Sequence, residues 1–232
     1  MQEPLAGRVS AVAALDEPTR RRLYEHVVRR HTALSRDEVA TALDIPRATV
    51  AFHLDKLVDE GLLDVTYERR TGRSGPGAGR PAKLYQRSGQ DVAVSLPERH
   101  YDLIGRLLAA AIEDSERTGE SPRATLGRRA YRAGLQLGEE ARTAPGQDDG
   151  LLHVLEEHGF EPRADGDDVL LGNCPFHVLA QSHTELVCGM NLHLMCGLLC
   201  GAGVTGMTAR LDPAPGRCCV RLAAERPDAG VS

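Results

Sequence analysis

The chain has 232 residues, more than one typical domain, and a formal net charge of −5 that hides an uneven spread. No window approaches the ~18 uncharged apolar residues of a membrane span and the N-terminus has no apolar signal core, so the reading is a cytoplasmic protein with no membrane contact. All six cysteines fall between positions 174 and 219, which without a secretion signal argues against a disulfide framework and for metal or cofactor ligation.

Residues 1–90 hold 15 Lys/Arg against 12 Asp/Glu, whereas residues 91–232 hold 13 against 21. A basic first part beside an acidic remainder fits phosphate contact by the first part only, since a polyanion attracts one and is repelled by the other.

The first predicted helix starts at Asp16-Glu17-Pro18 and runs to about Arg30. Asp16 can cap its free N–H groups, Glu17 suits the positive end of the dipole, and Pro18 has no N–H to satisfy. Ser35 opens a second helix, with Glu38 at the spacing of a capping box and an apolar face of Val39, Ala42 and Leu43. Asp44-Ile45-Pro46 then makes a turn. A third helix runs from about Arg47 to Glu60 and stops at Gly61; Val50, Leu54 and Leu57 pack inward, while Ala48, Ala51 and Phe52 face outward, flanked by Thr49, His53 and Lys56. A small, flat, partly apolar face suits entry into a major groove, where Phe can touch thymine methyls and Thr can bond a base or a phosphate. Arg47, Thr49, Phe52 and His53 are the candidate contacts.

Two apolar runs, 62–67 and 82–85, flank a Gly- and Arg-rich loop that cannot bury itself and read as a hairpin. Arg69, Arg70, Arg73, Arg80 and Lys83 place five positive charges on or beside it, suited to a phosphate backbone or a minor groove. Turn, helix and hairpin together make residues 1–90 a winged helix-turn-helix domain whose partner is a double-stranded DNA operator. Residues 43–57, with Thr49-Val50-x-x-His53-Leu54-x-x-Leu57, and Glu60-Gly61-Leu62-Leu63 resemble the recognition helix and wing entry of the ArsR-like winged-helix repressors.

Residues 91–147 read as a helical middle. One helix over 97–118 shows Tyr101, Ile104, Leu108, Ala111 and Ile112 on one face, and another spans 123–142. In the second, Gly127, Gly134 and Gly138 each cost ~1 kcal/mol of helix propensity relative to Ala, so close backbone approach to another helix is the expected offset. That partner is read as a second copy in a homodimer, with packing inside the chain as the competing account. Residues 143–148 form a linker.

Residues 148–225 read as a small α+β domain: a helix over 151–158, a hairpin across Asp165-Gly166-Asp167, a long helix over 182–199, and strands at 209–211 and 218–222. Residues 226–232 are a disordered tail. The overall fold class is α+β. Candidate ligands are Cys174, His177, His183, Cys188, His193, Cys196, Cys200, Cys218 and Cys219, dense but without a paired Cys-x-x-Cys, unlike an ordinary zinc ribbon. Rotation along the helix groups His193, Cys196 and Cys200 on a face that Cys188 only borders. Strand alternation admits only one of Cys218 and Cys219 to a given site. Cys196 and Cys200 also suit plain core packing as small hydrophobes.

Asn173-Cys174-Pro175-Phe176, Leu186-Val187-Cys188 and Gly216-Arg217-Cys218-Cys219-Val220, in this order of domains, resemble the iron–sulfur-binding repressors of Suf operons. That resemblance implies a dimeric repressor whose Cys174, Cys188 and one of Cys218/Cys219 hold a cluster, taken as 4Fe-4S, that controls operator binding. Cys219, His177 or an exogenous group is left for the fourth position, and Cys196 and Cys200 fall outside the family's pattern. Thiolates suit zinc equally well, so a zinc- or thiol-redox-responsive regulator is the alternative. With no Gly-rich phosphate loop and no orienting group for a nucleophile, the chain is not expected to be an enzyme.

Overall fold

The computed structural model describes residues 4–68, 81–143 and 150–225. They fall into two compact units, Met1–Val94 and Ser95–Ser232. Arg69, Arg70, Arg73 and Arg80, the tip of the predicted wing, lie outside the described residues, as does the predicted tail.

The first unit opens with a helix the sequence reading passed over, α1 (Leu5–Ala14), which has no side-chain cap and no acidic residue in its first turn. Its Ala11 and Ala14 are buried in the unit's core. The next helix, α2 (Pro18–Val28), is capped by Glu17 rather than Asp16: the Glu17 carboxylate accepts from the amides of Thr19 (3.0 Å) and Arg20 (2.6 Å). Burial pushes that carboxyl upward, and the amide hydrogen bonds more than offset it, leaving it below its usual range. The first four amides of a helix lack partners, so whichever carboxylate reaches two of them becomes the cap.

A two-residue strand, β1 (Leu34–Ser35), leads into α3 (Arg36–Leu43). The capping box is present in full, with Ser35 Oγ taking the Glu38 amide and Glu38 returning to the Ser35 amide at 2.8 Å. We expect Ser35→Ala to cost about 1 kcal/mol, read as a lower unfolding midpoint of the first unit in the full chain; an unchanged midpoint would show that the box adds nothing here. Asp44, in the left-handed region at φ 53°, turns the chain into α4 (Arg47–Asp59). Val50, Leu54 and Leu57 of α4 are fully buried, as their spacing requires. Gly61 at φ 70° ends the helix and starts the hairpin β2 (Leu63–Glu68) and β3 (Ala82–Arg87), paired antiparallel from Leu63↔Arg87 to Glu68↔Ala82. With β1 on the other side of β3, these strands complete a winged helix-turn-helix.

In the second unit α5 (Tyr101–Thr118) starts four residues later than Pro97, and its buried stripe is Ile104, Leu107 and Ala111. Tyr101 and Ile112, expected on that face, are 40% and 53% exposed. The helix phase is set instead by Asp114, which is buried and accepts from Arg117 (2.7 Å) and from Arg129 (2.5 Å) of α6 (Pro122–Thr143). Those two guanidinium groups hold its carboxyl far below the usual range.

Helix α7 (Gly150–Glu157) is followed by the hairpin β4 (Pro162–Asp165) and β5 (Asp168–Leu171), turned at Gly166 with φ 63°. The long helix expected over 182–199 is two elements, α8 (His177–Ser182) and α9 (Thr184–Ala202), broken at His183. Strands β6 (Met207–Leu211) and β7 (Val220–Ala224) complete an antiparallel sheet of order β4-β5-β7-β6. Helices of the predicted middle and the cysteine-bearing elements share one core, in which Ile104 and Leu126 join Phe160, Phe176, Leu194 and Leu222.

The glycines explain why the middle is not a separate region. A side-chain carbon at Gly134 would strike the Leu194 carbonyl oxygen, and one at Gly138 the Leu198 carbonyl oxygen. Reciprocally, Gly197 and Gly201 of α9 face the carbonyl oxygens of Tyr131 and Leu135 on α6. The close approach predicted from these glycines exists, but its partner is α9 of the same chain rather than a second copy. The seam also corrects the expectation that no window approaches a membrane span. By length and composition α9 is long and apolar enough to cross a membrane, its five leucines with Val187, the cysteines and the methionines outweighing Glu185, Asn191 and His193. Of that window 56% is buried inside the unit.

Candidate nucleic-acid interface and thiol site

On the first unit, α4 presents Ala48 and Phe52 to solvent, Phe52 being 66% exposed, a high value for so large an apolar ring. Thr49 is half-buried beside them. Arg47 is exposed and pairs with Asp37, one bond measuring 3.2 Å, which is the kind of solvent-screened pair that gives way readily to a stronger anion. His53 is placed differently from its expected position on the outward face. Its side chain is 12% exposed and its Nδ1 lies 3.6 Å from Glu17, the cap of α2. One residue around the helix from Phe52, it already points toward the core side.

Lys83 is also engaged. Its ammonium bonds Asp55 of α4 at 2.5 Å and lies 5.1 Å over the Tyr85 ring, while the Tyr85 hydroxyl donates to the same Asp55 oxygen at 2.8 Å. Burial lowers the Lys83 pKa, but Asp55 and Tyr85 together outweigh it and the net shift is upward. This triad ties the third helix to the base of the wing, a positioning role that the sequence reading gave to free charge. Between helix and wing base lies a cleft of about 320 Å³ lined by Arg36, Asp37, Arg47, Tyr67 and Lys83 among others.

On the second unit, Cys174 follows β5 in a loop fixed by Asn173. The Asn173 amide nitrogen donates to the carbonyls of Gly159 (2.6 Å) and Glu98 (3.1 Å), and Arg99 donates to the Cys174 carbonyl at 3.2 Å. Cys188 sits on α9. Cys218 and Cys219 lie just before β7 rather than in it, Cys218 donating its amide to the Leu171 carbonyl and Asp212 donating to the Cys219 carbonyl, each at 2.8 Å. Because this backbone is not yet a regular strand, alternation does not separate the two thiols. Cys218 lies close enough to Cys174 and Cys219, and Cys188 to Cys219, for each pair to influence the other's ionisation. Three segments far apart in sequence therefore bring four thiols together, of which Cys174, Cys188 and Cys218 are buried and Cys219 is half-buried.

The three buried thiols, Cys174, Cys188 and Cys218, are all shifted upward. The Cys174 thiol is pushed far up by its bond to Cys218 and by burial, and burial raises Cys188. Contact with Cys174 lowers Cys218, but Cys219 and burial outweigh it and push it up to about 12. Thiolates here need a cation or cluster to neutralise them. One neutral donor already faces this sulfur: Asn191, fully buried on α9, donates its amide to Cys218 Sγ at 3.2 Å, and its Oδ1 is buried without a hydrogen-bond partner. Sequence reasoning missed Asn191, although a polar residue inside the apolar stretch Met190 to Met195 is a visible signal.

His177 is not brought to the thiols. It begins α8, is exposed, and its Nε2 lies 3.1 Å from Gln181 one turn on. His193 is exposed as well, its Nδ1 2.8 Å from the Gly189 carbonyl. Cys196 and Cys200 stand apart from the four thiols, half-buried and exposed respectively. Among the described residues no group of three or more His, Cys, Asp or Glu side chains is arranged to hold a metal ion.

Residues 15–66 match the family model described as a helix-turn-helix domain. No curated protein and no solved structure matches the chain. The match spans α2, α3, α4 and most of β2, and a domain of this kind supports DNA binding and a role in regulating transcription.

Proposed function

We propose that the protein is a dimeric, sequence-specific repressor whose first unit reads an operator through α4 and the wing, and whose second unit binds an iron–sulfur cluster that sets DNA affinity. The observation that carries the second half is the meeting of Cys174, Cys188, Cys218 and Cys219 from three separate segments, with the buried Asn191 amide directed at one sulfur. An all-sulfur donor set in a dry site is the chemistry of thiolate-held clusters, and amide hydrogen bonds to sulfur are among the levers on their potential. These four cysteines would hold the cluster; when bound, it supplies a redox-active group that oxidants can destroy. The half-buried Cys219 is the thiol of the four that solvent reaches, which makes it the natural entry for such attack. Dimerisation is supported by the size of the reading head, because a single winged helix covers one short half-site. Four thiolates also satisfy tetrahedral zinc, so zinc is the alternative occupant.

The experiment is anaerobic purification with iron, sulfide and zinc analysis, followed by operator selection and titration with metal present and removed. Matched iron and sulfide, and an operator affinity differing about 5- to 150-fold between the two forms, are expected. A colourless protein with one zinc per chain would overturn the cluster assignment, and equal affinities would overturn the control. For the interface itself, Phe52→Ala should weaken operator binding by about 1–3 kcal/mol, roughly 5- to 150-fold in Kd, and leave the salt dependence unchanged, because it removes a base contact and no phosphate contact. Operator binding as tight as the wild type would remove Phe52 from the interface.

A further inference from the structure

Cys196 and Cys200 are not needed by the four-thiol site, and the structure does not use them as core. Cys200 is exposed and Cys196 is half-buried, and beside Cys200 stands Tyr131 of α6, 36% exposed, whose hydroxyl is shifted upward by that thiol. The two thiols and the phenol line one edge of the α6–α9 seam. A cysteine retained as a small hydrophobe would be covered, so a different use is indicated.

Spacing decides what the pair can do. Residues four apart on a helix have Cβ atoms about 5–6 Å from each other, whereas a disulfide needs Cβ atoms within about 3.5–4.5 Å and an S–S bond of about 2.05 Å. Closing that gap would require α9 to deform, and Gly197 and Gly201, interleaved with Cys196 and Cys200, pin its backbone to the carbonyls of Tyr131 and Leu135. One atom between the sulfurs removes the conflict. Two metal–sulfur bonds of about 2.3 Å, the length of a zinc–thiolate bond, together span about 4.6 Å, which side chains at this spacing reach from a regular helix. Among the described residues no third His, Cys, Asp or Glu side chain completes such a group. A two-sulfur site is poor for zinc, which seeks four ligands, and suits a soft monovalent cation.

We infer that Cys196 and Cys200, with the Tyr131 hydroxyl donating to Cys200, bind one copper(I)-class cation at the solvent-facing edge of the second unit, independently of the four-thiol site. Binding replaces two S–H bonds by two metal–sulfur bonds and releases two protons to solvent, with no change of oxidation state. The site lies on the helix that also carries Cys188, about two to three turns on, so the two metal chemistries share one rigid element.

The test is alkylation of the full-length protein with iodoacetamide under anaerobic conditions, read residue by residue by mass spectrometry, while copper(I) is titrated to several equivalents. Without copper, Cys200 reacts fastest of Cys174, Cys188, Cys196, Cys200 and Cys218. With copper its rate falls at least tenfold, Cys196 is protected in parallel, and zinc(II) gives no protection. In Cys196→Ser the protection of Cys200 is lost, and in Tyr131→Phe it persists at a higher copper concentration. Cys200 that stays reactive throughout the titration, or that is protected equally well in Cys196→Ser, overturns the site. Copper protection is scored at residues 196 and 200 alone, so it is indifferent to whether the buried thiols hold iron.

Discussion

Gly134→Ala should destabilise the second unit by more than about 3 kcal/mol, although the same change in an unconfined helix stabilises by up to about 1 kcal/mol. The added carbon would meet the Leu194 carbonyl oxygen head-on and the Leu198 amide nitrogen at 2.8 Å. Both atoms are backbone of a buried helix, so no side chain can swing aside and α6 must lift off α9. Overpacking in a core generally costs about 1–3 kcal/mol and more when the backbone must move. Gly189→Ala, on α9 itself, and Gly105→Ala, on α5, are the controls, because nothing lies within 4 Å of a side-chain carbon at either position; both should be neutral or slightly stabilising. Denaturant unfolding of the three variants checks this, and a Gly134→Ala protein within about 1 kcal/mol of the wild type would mean that the seam is looser than described.

The second large effect concerns the thiols. Cys218→Ser should remove nearly all bound iron and sulfide from anaerobically purified protein, because Cys218 is the central member, touching Cys174 and Cys219 and receiving the Asn191 amide. Cys188→Ser should do the same while residues 15–66 keep their fold, since the helix-turn-helix core draws on none of these residues. Cys200→Ser should retain full iron. Asn191→Leu separates donation from packing: volume is kept, the N–H donor to Cys218 is lost, and an iron site that assembles with a shifted potential is expected. Full iron content in Cys218→Ser would exclude the proposed ligand set, and a Cys200→Ser protein without iron would show that the wrong thiols were grouped.

The parts of this molecule legible in sequence are those governed by neighbours along the chain. The capping box of Ser35 and Glu38, the stripe of Val50, Leu54 and Leu57, and the two apolar runs of the hairpin all act within a few residues, and each is where its pattern put it. Helix α1 escaped because it has neither a side-chain cap nor an acidic residue in its first turn, and its stability comes from packing Ala11 and Ala14 into a core. His53 and Lys83 were read as free because their partners, Glu17 and Asp55, lie 36 and 28 positions away along the chain. Glycine spacing in α6 correctly announced a close helix contact, yet no feature of one sequence distinguishes α9 of the same chain from a helix of another. Grouping of the cysteines likewise depended on the backbone at Cys218 and Cys219, where the strand expected to separate them had not yet begun.

The interlocked glycines also govern how this unit can move. Each carbonyl of one helix occupies the notch left by a missing side chain on the other, so sliding α9 along α6 by a single residue would drive a side chain into every notch at once. The seam therefore works as a mechanical detent: the two helices travel as one rod, or they part. A change at Cys188 that shifts α9 is delivered to α6 without slack, as a whole-body displacement rather than a graded flexing.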